Sequence, residues 1–269
     1  MSQPRVYKAQ ALALKRISIG ETDRILTLFT REHGKLSAIA KGARRELSRL
    51  AAVTEPFTAS RLLLAVGQNL DVLTQGEVRE AFRGIRSDLT RISYASYFTE
   101  LVDATLEERQ PHPELFDLLL ATFYILERAA MPDLVARMFE LQALRLLGYG
   151  PELRRCVRDQ APLQGAGLGF SPTRGGALCA RCAAETPGTL PMSGAALEIM
   201  RRLIEAVPES PMGGSPGLDR LQPTEAQRSE LAKLLVPYVR QRSEAPLRSL
   251  GFIEELRVAP PERVAKGPP

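Results

Sequence analysis

The sequence predicts an α+β protein: an N-terminal five-stranded barrel, then an α-helical domain with a cysteine-bearing insert. Three observations predict it. The first 80 residues read as five short strands, two of them plainly alternating, separated by turn signals. Much of residues 87–147 and 193–239 repeats apolar side chains every three to four positions. Residues 151–190 hold all three cysteines among Gly and Pro. Of 269 residues, 44% are hydrophobic and 6% aromatic, with no Trp, so the core is mostly aliphatic.

Strands are expected over Val6–Arg16 (VYKAQALALKR), Arg24–Thr30 (RILTLFT), Lys35–Lys41 (KLSAIAK), Phe57–Val66 (FTASRLLLAV) and Leu70–Thr74 (LDVLT). Gly20, His33-Gly34, the Gly42–Pro56 loop and Gly67-Gln68-Asn69 separate them. Five strands in about 75 residues is the size of an OB-fold, a barrel that often binds oligonucleotides. An SH3-like barrel is the structural rival.

Ser87 is placed to cap a helix running to Arg109. Leu89, Ile92, Phe98, Leu101, Val102 and Leu106 form its buried face. Pro111 and Pro113 break the chain, and Glu114–Arg128 is a second helix. Met131-Pro132 starts a third, and Gly148 stands where a C-terminal glycine cap belongs. Helix resumes at Ser193 and ends in SPMGGSPG, a flexible break. Thr224 and Gln227 read as a capping box, and Pro237 should kink or divide the helix that follows. The domains are therefore 1–80, a nucleic-acid-binding barrel, and 81–269, a helical domain interrupted by 151–190. VAPPERVAKGPP, from about residue 258, reads as a disordered tail.

The formal net charge is +5, and it gathers at the front: residues 1–50 carry 11 Lys/Arg against 4 Asp/Glu. Residues 81–150 carry 7 against 10. A basic front and a mildly acidic middle suggest a polyanion surface on one module; scattered surface charge is the bland alternative. The N-terminus has no apolar run of signal-peptide length, and no stretch approaches the ~20 apolar residues of a membrane span. An odd number of cysteines argues against a disulfide framework. The expected compartment is the cytoplasm, at the nucleoid if DNA is the partner.

Cys179-Ala-Arg-Cys182 is a C-x-x-C knuckle, and Cys156-Val-Arg-Asp159 is a second with Asp in the last place. Nineteen residues lie between the two, the spacing of a zinc ribbon, and Zn2+ accepts a carboxylate oxygen in place of one sulfur. Cys156, Asp159, Cys179 and Cys182 are the candidate ligands. A metal-free knuckle and a redox pair remain as readings; the redox pair would need the motif after a strand at a helix start. Phosphate-loop, dinucleotide, zinc-protease and nucleophile-elbow motifs are all absent, which favours a binder over an enzyme.

ALALKR, GETDRILTLFT and HGKLSAIAKGARR, in that order, followed by LGYGPEL, FSPTRGGALCARC and LRSLGFIEEL, resemble the bacterial RecO family of recombination mediators over nearly the whole chain. The resemblance implies an OB-fold, a helical domain and a zinc-ribbon-like insert. It implies DNA repair and homologous recombination: binding of single- and double-stranded DNA, annealing of complementary strands, and, with RecR, loading of RecA on strands coated by SSB. The SSB C-terminal tail would be held in an apolar groove of the helical domain with an Arg nearby. Asp159 departs from the family's usual second Cys-x-x-Cys.

In that setting the basic loop takes on a role. Leu36, Ala38 and Ala40 face one way, as a tight barrel interior requires, and Lys35, Ser37, Ile39 and Lys41 the other. After Lys41, Gly42 frees the backbone, and Arg44, Arg45 and Arg49 project from a flexible loop. Lys15 and Arg16 join them. Phosphate contacts of this kind are salt-sensitive and indifferent to base identity. Only Tyr7 and Phe57 are candidates for base stacking, and both serve equally well as core. The alternative is an adaptor whose basic barrel meets an acidic protein.

Overall fold

In the computed structural model, the described residues are 5–206, 216–243 and 245–258. Alternating side chains close β1 (Val6–Ile19), β2 (Asp23–Thr30), β3 (Gly34–Ala40), β4 (Ala59–Ala65) and β5 (Asp71–Glu80) into a barrel. The order is β1-β2-β3-β5-β4, with β3 and β5 parallel and the other pairs antiparallel. This is the Greek-key barrel of an OB-fold, not its SH3-like rival. A barrel this narrow is filled by aliphatic side chains, with alanines on one strand making room for leucines on the others. Ala9, Ala11 and Ala13 of β1 meet Leu26, Leu28, Leu36, Ala38, Ala40, Leu62, Leu64 and Leu73 inside.

Two strands outrun their predicted ends. β1 continues to Ile19 because Ile17, Ser18 and Ile19 pair with Ile25, Arg24 and Asp23. β5 continues to Glu80, which pairs with Ala59 of β4. β4 begins at Ala59, later than expected, since Phe57 turns the chain at φ +63.

The helical part contains α1 (Arg83–Arg86), α2 (Leu89–Thr105), α3 (Pro113–Arg128) and α4 (Pro132–Leu146). Asp88, not Ser87, caps α2: its side chain accepts the Arg91 N–H at 2.8 Å, while Ser87 ends α1. Leu89, expected inside, is 56% exposed in the first turn. α2 stops at Thr105 rather than Arg109 because the chain then runs beside β3. The Arg109 N–H donates to the Lys35 carbonyl at 2.8 Å, and Glu108 bridges Lys35 in parallel. That approach demands a glycine opposite: Gly34 sits at φ +70, and a Cβ there would lie 2.1 Å from the Gln110 carbonyl oxygen. α4 ends as predicted, with Gly148 at φ +82. Its N–H donates to the Arg145 carbonyl and that of Tyr149 to the Leu144 carbonyl, the paired bonds of a Schellman motif.

The insert folds as β6 (Gly169–Ser171), β7 (Gly176–Leu178) and β8 (Leu190–Pro191), in the order β7-β6-β8, with α5 (Ala180–Glu185) between β7 and β8. Then come α6 (Gly194–Glu205), α7 (Pro216–Asp219), α8 (Glu225–Arg240) and α9 (Arg248–Val258). Ser193 caps α6, and Thr224 with Gln227 forms the capping box of α8. Pro237 does not divide α8. α9 was not anticipated. Among its described side chains the buried ones, Leu250 and Ile253, are too few for a clear helical period. Of the predicted break SPMGGSPG, residues 210–215 lie outside the described residues, as does the tail from 259.

The barrel and the helices share one interior. Leu12, Leu14, Phe29 and Phe57 point out of the barrel into the helical core. Phe29 meets Phe116 edge-on at 5.6 Å, and Phe57 meets Phe123 at 6.0 Å.

Candidate nucleic-acid interface and metal centre

β3 delivers the chain into residues 41–58; the stretch Gly42–Pro56, predicted as a flexible loop, is a run of turns pinned to the β1–β2 hairpin. The Gly42 N–H donates to Asp23 Oδ1 at 2.7 Å, and the Arg44 N–H to the Thr22 carbonyl at 2.8 Å. Arg44 Nη1 reaches the Gly20 carbonyl at 3.1 Å. The Gly42 N–H, then the Thr22 hydroxyl, hold the Asp23 carboxyl below its usual range, so it stays ionised. The pinned loop leaves Lys41, Arg44, Arg45 and Arg49 exposed, with Glu46 as the opposing charge among residues 41–49.

The remaining predicted cations divide. Lys15 is exposed on β1. Arg16 forms an ion pair with Glu55, which also holds Arg24 at 3.0 Å. Lys35 is turned toward the helices. Its Nζ donates to the Asp103 carbonyl at 2.5 Å and lies 3.3 Å from Asp103 Oδ1. Lys35 therefore joins barrel to helix, apart from the loop cations. Neither aromatic candidate is free to stack on bases. Phe57 is buried, and Tyr7 donates to Asp71, with burial first and that carboxylate second pushing its hydroxyl up to about 12.

Two features escaped the sequence reading. Arg109 pairs with buried Asp71 at 2.9 Å, tying the α2–α3 connection to the start of β5. A cleft of about 830 Å³ opens between barrel and helices, lined by Lys15, Arg16, Lys35 and Arg248. Its two carboxylates are engaged: Asp103 with Lys35, and Glu100 with the Arg248 and Ser249 N–H groups at 2.9 Å each. No local pattern reveals Arg248, because its place depends on how α9 docks on α2.

The insert brings its four candidate ligands together. One ligand atom from each of Cys156, Asp159, Cys179 and Cys182 lies within 4.8 Å of the others. Asp159 Oδ2 is 3.2 Å from Cys182 Sγ and 3.6 Å from Cys179 Sγ. Gln160 at φ +60 and its N–H to the Cys156 carbonyl, 2.9 Å, form the first knuckle. Three sulfurs and one carboxylate suit Zn2+, and Arg181, 2.8 Å from Asp159, offsets part of their negative charge. Hydrogen bonds from Cys156, then Arg181, hold the Asp159 carboxyl far below its usual range. The C-x-x-C follows β7 and opens α5, the placement that a redox pair needs. Burial, and next the hydrogen bond to the Asp159 carboxylate, push the Cys182 thiol up to about 12.

Models of the recombination protein O family cover the chain almost end to end: its N-terminal part matches residues 1–82 and its C-terminal part residues 86–251. The chain belongs to the RecO family. A relative from Roseiflexus sp. (strain RS-1), named DNA repair protein RecO, is 40% identical over 253 residues, 94% of this chain and 87% of the relative. A Symbiobacterium thermophilum protein of the same name is 37% identical over 257 residues, covering 94% of this chain and 99% of its own. The barrel is thus the OB-fold domain of a RecO protein, and the cysteine cluster lies in the family's C-terminal part. Among the described residues, no helix is long and apolar enough to cross a membrane.

Proposed function

We propose that this chain is a non-enzymatic DNA repair and recombination mediator. It binds single- and double-stranded DNA through the barrel, anneals complementary strands, and acts with RecR to load RecA on SSB-coated DNA in the cytoplasm. The observation that carries the reading is the pinned loop, which holds Lys41, Arg44, Arg45 and Arg49 outward on an OB-fold. Affinity there comes chiefly from phosphate charge and counterion release, which suits annealing of any sequence. Lys15 and Arg16 extend the surface toward the cleft; Lys35, predicted to bind DNA, serves the domain junction instead. The helical domain contacts the protein partners, including the SSB tail.

Cys156, Asp159, Cys179 and Cys182 would hold Zn2+, which supplies a structural cross-link for an insert with little regular structure. Asp159→Cys should then bind zinc more tightly in a chelator competition, and a chelator should lower the melting temperature of the native protein.

The functional test is annealing of complementary fluorescent oligonucleotides, bare and SSB-coated, across a salt series. Acceleration that fades with salt and is lost in Lys41→Ala/Arg44→Ala/Arg45→Ala is expected. No acceleration at low salt would favour the adaptor.

A further inference from the structure

The outer face of the barrel carries an aliphatic row that the folding of the domain does not use. Ile17 pairs with Ile25, Ile25 with Ile39, and Ile39 with Val72, so one residue from each of four adjacent strands stands in line. Leu26, Ala38 and Leu73, one position on or back, fill the interior, so the row faces outward. Ile17 is 53% exposed, and Ile19, two residues along β1, is 45% exposed; Ile25, Ile39 and Val72 are half-buried. Leu47, at the tip of the basic loop, is 93% exposed.

Cations border this strip. Lys15 stands two residues before Ile17 on β1, opposite Thr27, and Lys41 two residues beyond Ile39 at the end of β3. Arg44, Arg45 and Arg49 follow in the loop pinned beside it. The carboxylates beside it are engaged: Asp23 accepts from the Gly42 N–H and the Thr22 hydroxyl, Asp71 from Arg109, and Glu108 from the Ser37 hydroxyl. An apolar strip flanked by positive charge fits a ligand with apolar faces strung on an anionic backbone. Duplex DNA offers the backbone but hides its base faces in the stack. Unpaired DNA offers both.

We propose that the Ile17–Ile25–Ile39–Val72 row is the base-contacting floor of a single-strand site, taking base faces on aliphatic rather than aromatic side chains. The loop cations supply affinity for any DNA. The row supplies the preference for unpaired strands, and its contribution does not depend on salt. This rests on the DNA-binding reading above and adds to it where selectivity resides.

The test measures binding of a 20-mer oligothymidylate, an abasic 20-mer and a 20-base-pair duplex by fluorescence anisotropy. The native protein is compared with Ile17→Ser and Ile17→Ser/Ile39→Ser. The double variant should lose about tenfold in affinity for oligothymidylate. It should keep its abasic and duplex affinities within about twofold, with an unchanged salt slope. Ile17 is more than half exposed, so Ile17→Ser stays folded and should show a smaller loss of the same selectivity. Equal losses on all three probes, or no loss on oligothymidylate, would overturn the assignment while leaving DNA binding intact. Failure of the native protein to bind any probe would overturn both readings.

Discussion

The two interiors of this molecule are built from different side chains. The barrel core is Ala, Leu and Val among its buried residues, with no aromatic fully inside. The helical core holds Phe98, Phe123, Phe139 and Tyr97, all fully buried, and extends into the insert through Phe170. A narrow closed barrel excludes large rings; packed helices leave spaces that rings fill. The barrel consequently turns its rings, Phe29 and Phe57, to the helical side, together with Leu12 and Leu14 from the outer face of β1. Its stability is drawn in part from a neighbour, and the two should unfold together.

The strongest way to break that comparison is Phe123→Ala. Phe123 touches Phe57 from the barrel and Phe82 from the junction. The loss should be about 3–5 kcal/mol, in a single transition, by urea unfolding. Two separate transitions would show that the cores are independent.

Asp71 sharpens the comparison at the polar end of the junction. Burial alone would raise its pKa, but hydrogen bonds from Arg109, Tyr7 and the Gly67 N–H prevail and lower it. A lowered folded-state pKa stabilises above the unfolded carboxylate value of about 3.9, and that stability is lost as pH falls through the folded value. Asp71→Asn should cost about 1–3 kcal/mol at pH 7, and the gap from the native protein should narrow below about pH 4. A gap constant down to pH 2 would deny the ionised pair its role.

Thr224→Ala acts on the helical side only, away from the junction. Loss of the capping box of α8 should lower stability by about 1 kcal/mol without altering barrel function in DNA binding. The smallest effect on stability belongs to Lys41→Ala on the barrel surface, within about 0.5 kcal/mol. Its mark should be a salt slope of DNA binding shallower by about one.

Much of this could be read along the chain, because it depends on neighbours in sequence. Alternation in KLSAIAK set which residues line the barrel, the glycine at 148 marked the end of α4, and Thr224 with Gln227 marked the start of α8. The knuckle spacing of Cys156, Asp159, Cys179 and Cys182 brought the four ligands together. What depends on contacts between distant segments was not legible. Lys35 looked like its fellow cations until Asp103, 68 positions away, engaged it. Arg109 looked helical until β3 offered a carbonyl to its N–H. Ile17, Ile25, Ile39 and Val72 are four unrelated residues in the sequence and become one surface only through strand register. Local periodicity decides which way a side chain faces; only the folded chain decides what it meets there, since each such meeting is selected by packing across the whole molecule.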